Sequence, residues 1–194
     1  MLVNTMTIDW QLGDVQTSSK GIKSAAITDR KGAPVFCMLT TEDRPLSAPF
    51  GASAYNDPTA IRQNICFRCH EQLEQAMTNV DAYMANYVKE HSQRLFKGKT
   101  MTYKPCLSIK EDCAALLRAK VNVGGSKSCR FWTPKYARCD CPDNFKDVGL
   151  IPRINVRSFW IMGSDCGLTL ECTDILYDQS QESCPFLDEN PFTG

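Results

Sequence analysis

The stretch from Arg153 to Tyr177, RINVRSFWIMGSDCGLTLECTDILY, predicts a β-hairpin around which the rest of the chain is organised. In its first half apolar and polar side chains alternate with period two. A half-buried strand requires this pattern because successive side chains point to opposite faces of a sheet. One face would carry Ile154, Val156, Trp160 and Met162, interrupted by Ser158, and the other would carry Arg153, Asn155, Arg157, Phe159 and Ile161.

A tight turn and a second alternating segment complete the predicted hairpin. Gly163-Ser164-Asp165 supplies turn chemistry, because glycine tolerates positive φ and aspartate can bond to its own backbone. The cations Arg153 and Arg157, on the same face as Phe159, are the first indication of a functional surface. The return strand would bury Leu168, Leu170, Cys172 and Leu176 and turn Thr169, Glu171 and Thr173 outward.

Periodicity and turn residues predict the other elements. Pro105 interrupts one alternating segment and indicates a strand at a sheet edge. Apolar residues at helical spacing predict one amphipathic helix over 70–96, carried by Leu73, Met77, Val80, Met84 and Val88. Further strands are predicted near 22–28, 35–39, 61–68, 101–109, 116–123 and 129–136, with loops over 41–58 and 137–150.

These elements predict a mainly β fold with one long α-helix (α+β), built as a small barrel like the oligonucleotide-binding (OB) fold. Helices do not alternate with strands, which disfavours a parallel doubly wound sheet. A chain of 194 residues fits a single domain. We expect that domain over 1–177, followed by an acidic, mobile C-terminal tail over 178–194.

Charge is balanced over the whole chain but not along it. Lys and Arg together number 22, as do Asp and Glu, so the formal net charge is zero. Between positions 97 and 157 thirteen cations face five acids, whereas positions 163–194 hold seven acids and no Lys or Arg. Such a sign split is typical of a polyanion-binding body with an acidic tail. The alternative is chance clustering on a solvated surface.

Cysteine usage and the absence of apolar segments suggest an intracellular protein. The eleven cysteines are an odd number, and the N-terminal residues show no basic leader followed by an apolar run. No window approaches the roughly eighteen apolar residues of a membrane span. We therefore expect reduced thiols in a host cytoplasm or nucleus, no secretion and no membrane partner.

No motif favours an enzyme or a cofactor. Cys66-Phe-Arg-Cys69-His70 matches the CxxCH haem-attachment string, but that attachment usually needs an exported chain. A zinc site formed by Cys66 and Cys69 with Cys139 and Cys141, or with Cys129, is an open alternative, although no second CxxC exists. We interpret the cysteines mainly as buried thiols, and we expect no catalytic residue, no cofactor and no metal.

Cations beside aromatic rings recur through the basic segment. Single-stranded nucleic acid is bound by this mixture, because cations neutralise phosphates and rings stack on bases. The alternative is that the rings belong to the core and the cations are ordinary solvated charges; for Trp160 and Phe96 we favour the core. The predicted phosphate contacts are Lys97, Lys99, Lys104, Lys127, Arg130, Lys135, Arg153 and Arg157, and the predicted stacking rings are Tyr103, Trp132 and Tyr136.

The end of the chain resembles the acidic tip of bacterial single-stranded-DNA-binding proteins and of their short-tailed-phage equivalent. An acidic run, Asp188-Glu189, precedes Asn190-Pro191-Phe192. The resemblance implies that Asp188, Glu189 and Phe192 recruit replication proteins and compete electrostatically with DNA. Thr193-Gly194 follows the ring, so the terminal carboxylate is not next to it.

A longer part of the chain, about 48–177, resembles small proteins of large algal DNA viruses that are taken for single-stranded-DNA-binding relatives. The resemblance implies an OB-like barrel whose curved face binds single strands. It rests on APFG (48–51), RLFKGK (94–99), YKPCL (103–107), LRAKVN (117–122) and SFWIMGSDCGLTLECTDIL (158–176).

Together these patterns predict non-sequence-specific binding of single-stranded DNA in viral-type replication or recombination. Phosphate contacts and base stacking would hold the strand, and the acidic tail would recruit replication proteins. A homo-oligomer is compatible with the sequence. Two alternatives stay open, a structural or virion-associated protein-interaction domain without nucleic-acid binding and a zinc-stabilised binding module.

Overall fold

The computed structural model describes residues 2–3, 8–19, 21–54, 57, 59–146 and 148–177. Apart from Ile151, their buried apolar side chains, from Val3 near one end to Tyr177 at the other, belong to one hydrophobic cluster. The predicted tail residues Asp188, Glu189 and Phe192 lie outside the described residues.

One sheet contains the thirteen strands found in the part of the chain that the structure describes. Two helices interrupt the strand order, α1 (Glu71–Glu90) and α2 (Ser92–Phe96). The strands are β1 (Gln11–Leu12), β2 (Gln16–Thr17), β3 (Lys23–Thr28), β4 (Val35–Met38), β5 (Ala52–Ser53), β6 (Arg62–Arg68), β7 (Thr102–Lys104), β8 (Leu107–Ser108), β9 (Leu116–Asn122), β10 (Arg130–Trp132), β11 (Arg138–Cys139), β12 (Leu150–Met162) and β13 (Asp165–Tyr177).

The predicted hairpin is the centre of this sheet. Strands β12 and β13 are thirteen residues each and pair antiparallel from Leu150↔Tyr177 to Met162↔Asp165. The free edge of β12 pairs first with β4 and then with β3. The free edge of β13 pairs in succession with β7, β9 and β10, all in parallel. Each of the two long strands therefore aligns shorter strands end to end along its outer edge.

A β-bulge in β12 overturns part of the predicted face assignment. Val156 pairs with Leu170 and Ser158 with Thr169, so Arg157 is left over in the ladder. An extra residue inverts the alternation beyond it. Phe159 is accordingly fully buried, and Trp160 lies on the face opposite to Val156. The prediction that Trp160 and Met162 share a face with Ile154 and Val156 was wrong for this reason, as was the placement of Phe159 on the functional face.

A second irregularity has the same effect on β13. Ile154 pairs with Cys172 and Arg153 with Asp174, which leaves Thr173 as the extra residue. Beyond this point Ile175 and Tyr177 are the buried side chains. Leu176, predicted to be buried with the earlier apolar positions of the strand, is only partly covered.

The sheet is open. Its strand order is β1-β3-β12-β13-β9-β6-β5, with the remaining strands attached beside this path. Both end strands have only two residues, which limits the backbone that an exposed edge offers for pairing. The predicted mainly β fold with helices is confirmed, whereas the predicted closed barrel was wrong, because β1 and β5 are not paired with each other.

Helix α1 packs its apolar stripe on one face of the sheet. The side chains of Leu73, Met77, Val80, Met84 and Val88 are buried, as their spacing predicted. The helix ends at Glu90 with His91 as its C-cap, and α2 then forms a separate turn, so the predicted continuous helix over 70–96 is divided. Neither helix among the described residues is long and apolar enough to cross a membrane.

A buried carboxylate fastens α1 to the sheet. Asp81 accepts hydrogen bonds from the Tyr103 hydroxyl at 2.8 Å and from the backbone N–H groups of Cys106 at 3.0 Å and Leu107 at 3.2 Å. A buried charged group needs such partners to offset its lost hydration. Asp81 therefore fixes the turn between β7 and β8, whose other side faces the polar surface described below.

The N-terminus of α1 is capped by a histidine. The Nδ1 atom of His70 accepts from the Leu73 N–H at 3.2 Å, and Nε2 lies 3.3 Å from the Thr40 hydroxyl. That hydroxyl donates to the Arg44 carbonyl, so Nε2 carries the ring proton and donates to Thr40. Burial and the Arg44 charge lower the pKa of His70. The cap thus requires the neutral ring.

We expect the free energy of unfolding to decrease as the pH is lowered, because this cap needs a neutral His70. A histidine whose pKa is lower in the folded state stabilises fully above its unfolded value, about 6.5. That contribution is lost as the pH falls from there through the folded pKa. Urea unfolding at pH 7.5 and 5.5 should show a larger loss for the wild type than for His70→Asn, whose amide oxygen caps without titrating.

His70→Ala provides the reference for the cap itself. It should cost about 0.5–2 kcal/mol at pH 7.5, because the helix loses its side-chain acceptor. Equal pH dependence in the wild type and His70→Asn would contradict the assignment of His70 as the titrating cap.

Candidate nucleic-acid interface

The face of the sheet opposite α1 is polar. Strand pairing places alternate side chains of five adjacent strands on this face, which we call the polar face. Arg118 and Lys120 of β9 lie beside Cys66 and Asn64 of β6. Lys120 in turn lies beside Glu171 of β13. The polar face includes Arg62, Asn64, Cys66, Arg118, Lys120, Asn122, Arg130, Trp132, Arg153, Asn155, Arg157, Ser158, Trp160, Thr169, Glu171 and Asp174, and the same registers add the apolar Leu116, Ile151, Met162 and Leu176 at its margins.

Glu171 lies at the centre of the polar face and is held by two arginines. Its carboxylate accepts from Arg62 at 3.2 Å and from Arg157, the bulge residue of β12. The Asn122 amide donates to the other carboxylate oxygen at 3.2 Å. Glu171 is 7% exposed, so the two guanidinium groups offset its burial.

Asp174 forms a second cluster nearer the open end of the hairpin. It pairs with Arg130 at 2.7 Å and with Arg153 at 3.1 Å, and it accepts from the Trp132 indole N–H at 3.1 Å. These hydrogen bonds outweigh burial and lower the pKa of Asp174. Arg153 also lies over the Phe36 ring, 4.3 Å from its centroid.

The sign split along the sequence is therefore not a split in space. Three of the seven acids that follow position 162 are Asp165, Glu171 and Asp174, and each is paired with cations of the basic segment or of β6. The acids that could form a separate negative region are those beyond 177, outside the described residues. Arg130, Arg153 and Arg157, predicted as phosphate contacts, already have carboxylate partners.

A groove of about 800 Å³ crosses the polar face near the tip of the hairpin. It runs from Asn64 on β6, past Lys120 on β9 and Trp160 on β12, to Lys23 on β3. We call it the tip groove. Its cations are Lys23, Lys104, Arg118 and Lys120, and its apolar rim includes Ile22 and Met162, which are 58% and 71% exposed.

These groove cations are mostly unpaired. Lys104 lies 3.4 Å from Asp165. For Lys23, Arg118 and Lys120, no carboxylate among the residues described here lies within ion-pair distance. The tip groove therefore presents more uncompensated positive charge than the arginine clusters around Glu171 and Asp174.

Lys120 shows how concentrated this charge is. Its ammonium donates to the Asn64 side-chain oxygen. Burial, followed by repulsion from Arg62 and Arg118, lowers the pKa of Lys120. An ammonium group that is repelled by neighbouring cations gains more free energy on binding an anion than an isolated one does, because the anion offsets the repulsion.

A flat aromatic surface lines the same groove. The half-buried Trp160 ring lies across Gly167 on the paired strand, and its indole N–H donates to the Leu168 carbonyl at 3.1 Å. A Cβ on Gly167 would come within 2.8 Å of the ring and 2.9 Å of the Lys104 carbonyl. Only glycine lets the ring lie this close to the strand. The sequence favours the core for Trp160, whereas the bulge at Arg157 brings its half-buried ring to the groove.

The lysines predicted as phosphate contacts are placed at several separate positions. Lys104 lies in the tip groove, and Lys97 and Lys99 lie just beyond the hairpin tip, after α2. Lys127 and Lys135 are exposed in the turns that flank β10, away from the groove. The predicted set thus does not form one contiguous surface.

The three predicted stacking rings have different surroundings. Tyr103 is bonded to Asp81 on the helix side, and burial raises its pKa, which favours a structural role. Trp132 is contacted by the guanidinium groups of Arg130 and Arg138, which lie over its ring at 5.9 and 5.6 Å from the centroid. Tyr136 is 66% exposed, and its hydroxyl is bonded to Glu42, which raises its pKa.

Sequence inspection missed the cations of β9. In LLRAKVN, Arg118 and Lys120 alternate with the buried Leu117, Ala119 and Val121. That alternation was visible and marks a strand with one cationic face. Lys23 has no such signal, because it reaches the groove only through the pairing of β3 with β12.

The cysteines do not form a metal site in the described ranges. The ten cysteines within them are free thiols. No group of three or more His, Cys, Asp or Glu side chains there is arranged to hold a metal ion. Cys66 lies on β6, Cys69 is buried at the start of α1 with its pKa raised to about 12 by burial, and Cys139 and Cys141 lie in and after β11. The proposed zinc set is therefore not assembled.

Among solved structures the chain has a structural likeness, but it has none among family models or curated proteins. No family model matches the chain, and no curated protein matches it. The fold is similar to the crystal structure of gp2.5, a single-stranded DNA binding protein encoded by bacteriophage T7. The TM-score is 0.49 at 10% identity, over 84% of this chain and 98% of that chain. Function is therefore argued from the interface itself.

We expect Gly167→Ala to displace the Trp160 ring. The added methyl group would overlap the ring and the Lys104 backbone, and overpacking of this kind costs about 1–3 kcal/mol. Urea unfolding should show that loss, and Trp160 fluorescence should shift in the folded state. Gly13→Ala is the matched control, because its Cβ would meet nothing closer than 3.8 Å. A neutral Gly167→Ala would contradict the close approach.

Proposed function

We propose that the protein binds single-stranded DNA without sequence preference, through the tip groove. The observation that carries this proposal is that the half-buried Trp160 ring lines one groove together with four cations, Lys23, Lys104, Arg118 and Lys120. Stacking on a ring is possible for every base, and phosphates are bound by cations whatever the sequence. The arrangement supports binding rather than catalysis.

The dimensions of the groove support a short stretch of single strand. From β6 to β3 the groove crosses four inter-strand spacings of about 4.8 Å, or about 19 Å in all. At the stacked rise of 3.4 Å per nucleotide, this length holds about six nucleotides, and fewer in an extended strand. The open sheet with one polar face thus offers room for a short single strand.

The arginine clusters support the groove in a different way. Arg62 and Arg157 are held by Glu171, so their forks are fixed and their charge is partly compensated. They contribute to the positive potential around Lys120 and so help to attract a polyanion. We place the activity in DNA replication or recombination inside a host cell, with residues 178–194 engaging partner proteins.

The first test is titration with oligo-dT, following Trp160 in a Trp10→Phe/Trp132→Phe background that leaves it as the only tryptophan. We expect quenching, with log affinity falling against log salt by about 0.7 for each phosphate neutralised. Arg118→Glu/Lys120→Glu should weaken binding about tenfold or more at low salt and flatten the salt slope, because two phosphate contacts are reversed.

Lys127→Glu/Lys135→Glu is the control with the same change in net charge. These lysines are exposed but do not line the groove. An equal loss of DNA affinity in both double variants would therefore reflect only the change in net charge of the protein. Absence of quenching in the reporter protein at low salt would overturn the proposal and favour a protein-interaction role. Tighter binding of oligo-U than oligo-dT would reassign the ligand to RNA.

Lys120 should also make binding depend on pH. Its pKa is lowered from the usual 10.5 by burial and by the neighbouring arginines, and a bound phosphate would raise it again. Affinity should therefore fall as the pH rises through the lowered pKa. Titrations between pH 7 and 10 should separate the wild type from Lys120→Arg, which stays charged. Parallel profiles would contradict this role for Lys120.

A further inference from the structure

A second groove adjoins the first at the tip of the hairpin. Its volume is about 520 Å³, and we call it the helix-side groove. Lys23, Ile161 and Gly163 line both grooves, so the two meet beside the turn between β12 and β13. The helix-side groove adds the cations Arg94, Lys97 and Lys99 and one acid, Asp14.

The lysines of this second groove are held by a defined helix end. Lys97 adopts the left-handed conformation with φ 55°, and its N–H donates to the Gln93 carbonyl at 3.1 Å. The Gly98 N–H donates to the Ser92 carbonyl at 3.2 Å, and a Cβ on Gly98 would lie 2.8 Å from the Gln93 side chain. The backbone that carries Lys97 and Lys99 is thus built to turn here, while their side chains are exposed.

Arg94 is positioned rather than free. Its guanidinium donates to the Leu12 carbonyl at 3.1 Å and to the Tyr87 hydroxyl at 2.8 Å, which fastens β1 to the helices. Lys97 and Lys99 have no carboxylate within ion-pair distance among the residues that the structure covers. Lys23, Lys97 and Lys99 therefore form an uncompensated cationic line that continues out of the tip groove.

The opposite direction along the hairpin is electrostatically less favourable. A strand leaving the tip groove toward Trp132 would pass Glu171 and then Asp174, both on the polar face. The arginines on that route are already paired with these acids. A phosphate there would gain less and would meet two carboxylates, so charge favours the route around the tip.

We propose that a bound single strand bends around the hairpin tip, with Lys23 at the junction and Lys97 and Lys99 contacting phosphates on the helix side. This inference rests on the proposed function of the tip groove. It names a longer ligand, since the tip groove alone holds about six nucleotides at a rise of 3.4 Å, so that a strand of four fits within it. A strand of fifteen or more can reach both grooves.

The test compares dT4 and dT15 on Lys97→Glu/Lys99→Glu, in the background where Trp160 is the only tryptophan. We expect the variant to bind dT15 about tenfold or more weakly than the protein without the two substitutions, and its affinity to depend less steeply on salt. Affinity for dT4 should change about threefold or less, because a short strand does not reach the helix side. Lys127→Glu/Lys135→Glu, with the same net charge, should leave the ratio of dT15 to dT4 affinity unchanged.

The outcomes separate the two proposals. Absence of binding by the reporter protein would overturn the proposed function itself. Binding that is intact for dT15 in Lys97→Glu/Lys99→Glu would overturn the path around the tip and leave the tip groove standing. A drop for dT15 only in Lys127→Glu/Lys135→Glu would assign the longer path to the open end of the hairpin instead. An equal loss of affinity for dT4 and dT15 in Lys97→Glu/Lys99→Glu would mean that the two lysines act only through the overall charge. This result would also overturn the path around the tip.

Discussion

The fold depends on the long antiparallel pairing of β12 with β13. Backbone hydrogen bonds on the inner edges hold the two strands together, which leaves each outer edge free to align others. Strands from distant parts of the sequence, among them β3, β7, β9 and β10, take their positions from these edges. The surface that we propose as the binding site is therefore assembled by register, since Lys23, Lys104 and Lys120 meet only because their strands share this hairpin.

The two irregularities of the hairpin decide which side chains face the solvent. The extra residue at Arg157 sends Phe159 into the core and brings Trp160 to the polar face. In the same way, the extra residue at Thr173 sends Ile175 into the core and brings Asp174 to the polar face. Without them the hairpin would bury its indole ring and expose a phenyl ring. A bulge also allows Arg157 to reach Glu171 from a position outside the ladder.

Sequence reasoning predicted what is local and missed what depends on pairing. The hairpin, the apolar stripe of α1 and the strand boundaries near β3, β4, β6 and β9 follow from periods of two and 3.6. The bulges do not, because the extra residue is defined by the partner strand. The open sheet and the pairing of the arginines with carboxylates were not predicted for the same reason, because both depend on contacts between distant strands. Glu171 and Arg62 lie over one hundred positions apart yet form an ion pair.

Local charge governs this surface more than the net charge of zero does. A cation paired with a carboxylate offers little to a phosphate, so positions on the same face differ according to their partners. Arg130, Arg153 and Arg157 belong to the paired kind, and Lys23, Arg118 and Lys120 belong to the unpaired kind. The unpaired cations gather at the end where the hairpin turns and where Gly167 lets the Trp160 ring lie flat. Because ring and cations share that end, stacking and phosphate contacts can act on the same nucleotides, and the turn itself becomes the point around which a longer strand can pass.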